Sequence, residues 1–259
     1  MRSLRVLITR PRHQAGSFAE RVRRAGHQPL RCPTLHIDTL DTARVREPAP
    51  EPDTSCDIAI FVSVNAVLCA EQIKPLRDQL AGVRAVLAVG PATTSALRAR
   101  GIAVTHHDSG AHDSEALLKS PVLRDIAGTC VYLFKGHGGR TLIADTLIDR
   151  GATLVPCVVY QRRAPSASEI EHSLPGVLLA DVIQSGSDEA LDNLVTLTPT
   201  SMRDQLFNTA LIVNSERGKR HAEFLGFDGA IRVARPAGDD GQLTALARLA
   251  FQRQREHEE

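Results

Sequence analysis

Six polar segments of the sequence have the composition of anion-binding loops. Each carries hydroxyl, basic or glycine residues, follows a short apolar run and precedes a helical pattern, so each is predicted to join a strand to a helix. Backbone N–H groups and the positive end of the dipole at a helix N-terminus attract negative charge. The residues that we predict to bind an anionic substrate are Thr9, Arg10, Ser63, Asn65, Gly90, Thr93, Lys135, Gly136, Arg140, Ser185, Ser187 and Ser215.

Several of these residues also have a purely structural interpretation. Ser63, Thr93, Ser185 and Ser215 could be helix N-caps, which contribute about 1 kcal/mol each. Arg10 could be a solvated surface charge. Six polar strand ends in one cleft are more than helix capping requires, and this favours ligand binding.

Tyr160 is the candidate for a catalytic side chain. It lies in a segment that is predicted to be extended, and its neutral hydroxyl can donate a hydrogen bond. A tyrosine in such a segment can equally be a packing residue with its hydroxyl at the surface. The residue type alone leaves both roles open.

The sequence contains no motif for a metal, a nucleotide or a covalent nucleophile. The glycine cluster at 136–139 does not form GxGxxG, because Thr141 occupies the place of the third glycine. The patterns GxxxxGK[ST] and GxSxG do not occur either. His106, His107 and His112 lie in a polar stretch that is typical of a solvated loop. We therefore expect neither a metal nor a cofactor.

An internal repeat shows how these segments are positioned. Four pairs of similar segments recur about 125 residues apart, in the same order. The pairs are 6–33 with 131–156, 57–60 with 181–183, 85–89 with 210–213, and Gly101 with Gly226. Each copy alternates short apolar strands with helical patterns, which predicts two duplicated α/β halves with doubly wound parallel sheets. Ligands of such sheets bind beyond the carboxyl ends of the strands.

The boundaries of the repeat suggest a discontinuous domain. Segments 34–40 and 158–165 occupy equivalent places and both are predicted to be extended. If both cross between domains as linker strands, residues 1–33 and 166–259 form one α/β domain and residues 41–157 form an inserted one. The repeat alone also allows two sequential domains.

Composition excludes several classes of protein. The 259 residues include 31 basic and 30 acidic side chains, so no overall field attracts nucleic acid or an anionic membrane. No apolar run reaches the roughly 18 residues that cross a bilayer. The five cysteines are scattered and never in a CxxC spacing, as is typical of reduced thiols. We expect a soluble, cytoplasmic monomer with a small-molecule partner.

An ordered set of motifs resembles the uroporphyrinogen-III synthase family. The motifs are VLITRP, FVSVNAV, AVGPATTSALRARG, RGATLVPCVVYQRR, VIQSGSDEAL and LIVNSERGKRHAEFLGF. Each is weakly specific by itself, but together they follow the family's order and span nearly the whole chain. One departure is Glu216, which lies where many members have part of a glycine-proline-threonine turn and which would repel a carboxylate if it faced the substrate.

The resemblance implies two flavodoxin-like domains joined by a two-stranded linker, and a cyclising lyase of haem biosynthesis that needs no cofactor. Its substrate would be hydroxymethylbilane, a linear tetrapyrrole with acetate and propionate arms. Ring A would lose its hydroxyl as water, ring D would be attacked at its substituted carbon to give a spiro intermediate, and ring D would be inverted before closure. By position, Tyr160 matches the tyrosine proposed in the family to assist departure of the ring A hydroxyl.

Two other functions fit the same sequence features. A non-catalytic, two-lobed binder of a small anionic ligand would have the same repeats and strand-end donors. A degenerate synthase-like domain with a regulatory role is the other alternative. Only the ordered motifs and the position of Tyr160 favour the enzyme.

Overall fold

The secondary structure alternates between strands and helices along the chain. A computed structural model describes residues 3–40, 56–107 and 114–258. The strands are β1 (Arg5–Ile8), β2 (Gln28–Arg31), β3 (His36–Thr39), β4 (Ile58–Phe61), β5 (Ala85–Ala88), β6 (His106–His107), β7 (Cys130–Gly136), β8 (Thr153–Arg163), β9 (Val182–Gln184), β10 (Ala210–Val213) and β11 (Ile231–Val233). The helices are α1 (Arg12–Arg24), α2 (Val64–Ile73), α3 (Leu76–Gln79), α4 (Gly90–Arg98), α5 (Ser114–Leu117), α6 (Leu142–Asp149), α7 (Ala167–Ile170), α8 (Pro175–Leu179), α9 (Asp188–Leu197), α10 (Arg203–Asn208), α11 (Glu216–Leu225) and α12 (Asp239–Glu258).

The chain divides into two compact units. The first comprises Met1–His36 and Arg163–Glu259, and the second comprises Ile37–Arg162. The chain therefore passes from one unit to the other twice, once within β3 and once within β8. The predicted start of the inserted domain, residue 41, lies outside the described residues.

The sheet of the first unit has five parallel strands in the order β11-β10-β9-β1-β2. Numbered along this unit, the spatial order is 2-1-3-4-5, which is the flavodoxin-like order. The central strand β9 pairs with β1 through Val6 and Val182 and with β10 through Ala210 and Val182. The prediction of a doubly wound parallel sheet is confirmed here.

The sheet of the second unit has six strands in the order β3-β8-β7-β4-β5-β6. Strands β4 to β8 pair in parallel. The repeat matches β1 with β7, β2 with β8, β9 with β4, β10 with β5 and β11 with β6. With this correspondence the strands of both sheets have the same spatial order. The copy in the second unit begins with β4, which corresponds to β9, the third strand of the first unit. The duplication predicted from the sequence is therefore present, with one copy permuted.

Burial explains why the strands lack an alternating pattern. All four residues of β4, β5 and β10 are buried, because helices cover both faces of each sheet. Alternate residues of one strand enter different cores: Val6 and Ile8 belong to one cluster and Leu7 to another. Each of the four core clusters consists of residues from a single unit.

Helix α1 shows how the local sequence sets an element. Its buried residues Ala15, Phe18, Ala19 and Val22 follow the helical period and form one apolar face. Gly26 ends the helix with a φ of 83°, a left-handed conformation that glycine adopts without steric cost.

The cysteines differ from the sequence-based expectation. Cys56 and Cys130 form a disulfide, with their Cα atoms 4.6 Å apart, whereas Cys32, Cys69 and Cys157 are free. The prediction of five reduced thiols is wrong for this pair. The two residues are 74 positions apart in sequence, and only the pairing of β4 with β7 brings them together.

No helix in the described ranges is long and apolar enough to cross a membrane.

Candidate functional site

A cavity of about 210 Å³ lies at the carboxyl end of the sheet in the second unit. This basic cavity combines a tyrosine, two serines and several cationic side chains. It is lined by Val62, Ser63, Ser114, Leu133, Lys135, Gly136, His137, Gly138, Gly139, Arg140, Ile143, Tyr160 and Arg162. Five residues predicted from the sequence therefore meet here: Ser63, Lys135, Gly136, Arg140 and Tyr160.

Tyr160 lies in β8 and contributes its phenol ring to the wall of the basic cavity. Only 5% of the residue is exposed, and its hydroxyl lies 3.2 Å from Ser63 Oγ. The backbone carbonyl of Tyr160 accepts a hydrogen bond of 2.7 Å from His137 N. The residue is thus held at both its backbone and its hydroxyl.

Gly136 provides the space in which the ring of Tyr160 lies. A Cβ atom at Gly136 would be 2.6 Å from Cε2 and Cζ of Tyr160 and 3.0 Å from its hydroxyl. The pairing of β7 with β8 shifts register here: Lys135 opposes Val158, but Gly136 opposes Tyr160. The irregularity adds one residue to β8, and such bulges commonly redirect a side chain.

Ser63 is the N-cap of α2. Its Oγ accepts a hydrogen bond from Ala66 N at 3.2 Å, and its backbone is extended with φ −165° and ψ 163°. The capping interpretation is therefore confirmed for this serine. Because the same oxygen also lies 3.2 Å from the Tyr160 hydroxyl, the N-terminus of α2 lies close to the phenol.

The charged side chains among the described lining residues of the basic cavity are cationic. Lys135, Arg140 and Arg162 line it, and none of its described lining residues carries a carboxylate. Arg162 and His137 also line the cavity but are not among the residues predicted from the sequence. Arg162 could have been found, because it lies two residues after Tyr160 in the same strand and alternate residues of a strand share a face. His137 had a weaker signal, its place between two predicted cavity residues, Gly136 and Arg140.

A smaller cavity of about 110 Å³ lies at the carboxyl end of the sheet in the first unit. It contains three of the predicted residues, Ser185, Ser187 and Ser215. Ser187 caps α9 by accepting from Ala190 N at 3.2 Å, and Ser215 caps α11 by accepting from Gly218 N at 3.1 Å. Two helix N-termini therefore meet at this cavity.

The charges around the smaller cavity are largely paired. Arg217 and Asp188, which both line it, form an ion pair of 3.2 Å. Glu216 does not line the cavity and pairs with Arg235 at 2.7 Å. Its carboxylate therefore does not face the cavity that Ser215 lines.

Thr9 and Arg10 do not line either cavity. Thr9 is fully buried and its hydroxyl donates to the carbonyl of Gln184 at 3.0 Å. Arg10 pairs with Asp239 at 2.7 Å, donates to Gln242, and stacks over the ring of Phe18 at 3.9 Å. Burial lowers the pKa of Arg10, although Asp239 opposes the shift. These contacts give both residues structural roles.

The contacts of Arg10 support the smaller cavity indirectly. Gln242, which accepts from Arg10, donates to Asn214 Oδ1 at 2.7 Å. Asn214 in turn donates to the carbonyl of Gly186 at 3.2 Å. Asn214 and Gly186 both line the cavity, so this chain of hydrogen bonds holds its wall in place.

The remaining predicted residues also lie outside both cavities. Gly90 begins α4 with a φ of 76°, and Thr93 is buried within the same helix with 3% exposure. Asn65 is the second residue of α2. Their predicted contacts with substrate stay predictions.

Among the residues that the structure describes, no group of three His, Cys, Asp or Glu side chains is arranged to hold a metal ion. His112 lies outside the described residues.

Sequence comparison identifies relatives that match nearly the whole chain. A family model described as uroporphyrinogen-III synthase HemD matches residues 16–240. The uroporphyrinogen-III synthase of Escherichia coli strain K12 is 30% identical over 246 residues, which cover 93% of this chain and 99% of that protein. The synthase of Salmonella typhimurium strain LT2 is 31% identical over 247 residues, with the same coverage.

Solved structures with the same fold have lower sequence identity. The uroporphyrinogen-III synthetase of Helicobacter pylori 26695 superposes with a TM-score of 0.65 at 14% identity, covering 96% of this chain and all of that one. A mutant uroporphyrinogen III synthase of the extremely thermophilic bacterium Thermus thermophilus gives a TM-score of 0.56 at 17% identity, covering 97% and 100%. These matches agree with the two α/β units described above.

Proposed function

The chain belongs to the uroporphyrinogen-III synthase family, and we propose that it cyclises hydroxymethylbilane with part of this substrate bound in the basic cavity of the second unit. The family's enzymes are cyclising lyases of haem biosynthesis. The observation that carries the proposal is the meeting of Tyr160 with three cationic side chains in one cavity.

The basic cavity suits the acidic arms of the substrate. Lys135, Arg140 and Arg162 bring three positive charges to its lining. Arginine binds carboxylates through two parallel hydrogen bonds, which fixes orientation as well as affinity. We infer that Lys135 and Arg140 bind acetate or propionate groups and so place one end of the bilane against Tyr160.

Tyr160 is proposed to assist departure of the ring A hydroxyl. The electron pair of the pyrrole nitrogen expels the hydroxyl, and the Tyr160 O–H gives its proton to the departing oxygen so that it leaves as water. The electron-poor carbon that remains is then attacked by the substituted carbon of ring D. The ring closure that follows releases a proton from ring D, which restores the phenol. Because the substrate itself drives the departure, the tyrosine accelerates the step without being indispensable.

The smaller cavity of the first unit is proposed to bind a further carboxylate. Ser187 and Ser215 cap the two helices that begin there, and the remaining N–H groups of each first turn can donate to an anion. The pairing of Arg217 with Asp188 leaves the helix N-termini as the main source of positive potential. A carboxylate bound here would be held mainly by backbone N–H groups rather than by a cationic side chain.

Replacing Tyr160 by phenylalanine tests the proposal. Tyr160→Phe removes only the hydroxyl, which is 3.2 Å from Ser63 Oγ, so the protein should keep its fold. We expect kcat for cyclisation to fall by about 100-fold or less, the low end of the range for a general acid, with KM nearly unchanged. Freshly generated hydroxymethylbilane is supplied, and the type I and type III products are separated after oxidation.

The product ratio gives a second readout of the same experiment. Bilane that the enzyme does not process closes spontaneously to the symmetric type I isomer, so the type I fraction should rise as kcat falls. A Tyr160→Phe variant with the rate and product ratio of the parent protein would return Tyr160 to a packing role. Binding of the bilane without any turnover by the parent protein would favour the non-catalytic binder instead.

The absence of a cofactor, the monomeric state and the cytoplasmic location stay predictions.

A further inference from the structure

We propose that Ser63 is a positioning residue for Tyr160: the serine hydroxyl donates to the phenol oxygen and thereby leaves the tyrosine proton directed into the basic cavity. The inference rests on the proposed acid role of Tyr160. It changes the role of Ser63 from a substrate contact to a group that acts through its neighbour.

The hydrogen-bonding capacity of Ser63 supports this direction. A serine hydroxyl has one donor and two acceptor sites. One acceptor site is occupied by Ala66 N, which donates to Ser63 Oγ at 3.2 Å. The donor stays available, and the phenol oxygen of Tyr160 lies 3.2 Å away. Donation from serine to tyrosine satisfies both groups and keeps the single proton of the phenol for the substrate.

The opposite direction would make the site inert. If Tyr160 donated to Ser63, its only proton would be engaged with the protein and could not reach the ring A hydroxyl. The Ser63 proton would then need another acceptor. The arrangement with serine as donor is therefore the one that is compatible with the proposed chemistry.

The position of the phenol is fixed from two further sides. The ring lies against Gly136, where even one added carbon would be 2.6 Å from it. Its residue is 5% exposed, which leaves little room for another orientation. Ser63 is the N-cap of α2, a helix of ten residues, so the positive end of the helix dipole lies on the same side as the serine donor.

This arrangement also makes Tyr160 a better donor. As the phenol proton moves toward the departing oxygen, negative charge develops on the phenol oxygen. A hydrogen bond from Ser63 and the N-terminus of α2 stabilise that charge more in the transition state than in the ground state. Stabilisation of this kind raises kcat and has little effect on KM.

Two substitutions test the hydroxyl while changing the stability of α2 very little. Ser63→Gly removes the hydroxyl, and glycine at an N-cap costs only a few tenths of a kcal/mol relative to serine. Ser63→Thr keeps both the hydroxyl and the cap. Ser166→Gly is the matched control, because Ser166 caps α7 in the first unit and lines neither cavity.

The experiment measures kcat and KM for the full-length protein with freshly generated hydroxymethylbilane. We expect Ser63→Gly to lower kcat about three- to tenfold, in line with the loss of one hydrogen bond, with KM nearly unchanged. Ser63→Thr should restore most of kcat, and Ser166→Gly should leave it at the parent value. In a Tyr160→Phe background Ser63→Gly should have no further effect, because the serine acts through the missing hydroxyl.

The outcomes separate this inference from the proposed function. A parent-like kcat in Tyr160→Phe would overturn both. A slow Tyr160→Phe variant together with a parent-like Ser63→Gly variant would overturn only the role of Ser63. If Ser63→Gly lowers kcat by the same factor in the Tyr160→Phe background, the role of Ser63 is also overturned. The serine would then act through α2 or by direct contact with the substrate. A rise in KM alone would assign Ser63 to substrate binding.

Discussion

At the scale of single residues, the site depends on a close contact between a glycine and a tyrosine. Gly136 is not needed for a left-handed backbone, since its φ is not in the positive range. It is needed because the ring of Tyr160 occupies the volume in which a side chain would lie. The identity of this residue is therefore explained by a neighbour that is distant in sequence and opposite in the sheet.

Gly136→Ala should move the ring of Tyr160 while leaving its hydroxyl group in the protein. Crowding of this kind typically costs about 1–3 kcal/mol of stability, and we expect kcat to fall to about the level of Tyr160→Phe, within the 100-fold range given for loss of the acid. Steady-state kinetics and thermal unfolding measure the two effects.

Gly16→Ala is the control for this substitution. Gly16 lies in α1 with nothing within 4 Å of a Cβ atom, so alanine should leave kcat unchanged and raise helix stability by up to about 1 kcal/mol. A Gly136→Ala variant with parent kinetics would show that the ring position is not important for the reaction.

At the scale of elements, the connection between α1 and β2 contains a buried histidine. His27 is 5% exposed, and its Nδ1 accepts a hydrogen bond from Leu4 N at 3.2 Å. A nitrogen that accepts a hydrogen bond cannot carry a proton. Burial accordingly lowers the pKa of His27 from its usual 6.5. The neutral imidazole therefore links the start of β1 to the end of α1.

The pKa of His27 predicts a loss of stability in mild acid. Below about pH 6.5 the unfolded chain takes up a proton that the folded protein does not, so the unfolded state is favoured. The stability from neutral His27 is complete above the unfolded pKa and is lost as the pH falls through the lower folded pKa. Urea unfolding at about pH 7.5 and at about pH 5.5 should show this decrease.

A glutamine in place of His27 isolates this contribution. His27→Gln keeps an acceptor for Leu4 N but cannot titrate, so the difference in unfolding free energy between the two pH values should become smaller. His172→Gln replaces an exposed histidine and should leave the difference as in the parent protein. An equal pH dependence in the His27 variant and the parent would contradict the prediction.

At the scale of the whole molecule, each unit has the components of an independent domain. Two core clusters cover the two faces of each sheet, and no cluster draws residues from both units. The second unit is continuous in sequence, whereas the first needs Met1–His36 together with Arg163–Glu259. Their folding should therefore respond differently to truncation.

A fragment of residues 36–163 should fold alone. It contains all six strands of the second sheet, including complete β3 and β8. We expect a cooperative thermal transition by circular dichroism and dispersed amide signals by NMR. The separate fragment 1–36 is the control, because it has β1 and β2 but lacks β9, with which β1 pairs, and should be unfolded. A fragment 36–163 without a cooperative transition would show that the second unit depends on the first.

The local features of the sequence determined most elements of the fold. Apolar runs at a spacing of about 125 residues predicted both copies of the strands, because strands covered on both faces consist of uninterrupted apolar residues. Gly26 follows an amphipathic pattern, and Ser166 precedes Glu169 by three residues, which is typical of a helix end and a helix start. The structure has the left-handed glycine and the complete capping box. Such signals are readable because they involve residues only a few positions apart.

Tertiary structure decided which of the predicted residues share a site. Ser63 and Tyr160 are 97 positions apart and meet only because β4, β7 and β8 are neighbours in one sheet. The extra residue of β8 lies just before Tyr160, opposite Gly136, and a shift of one residue in register reverses the face of the side chains that follow it. Arg10 has the residue type of a ligand contact, but Asp239 pairs with its charge. Contacts of this kind depend on strand order and register, which are properties of the folded chain and leave no local pattern in its sequence.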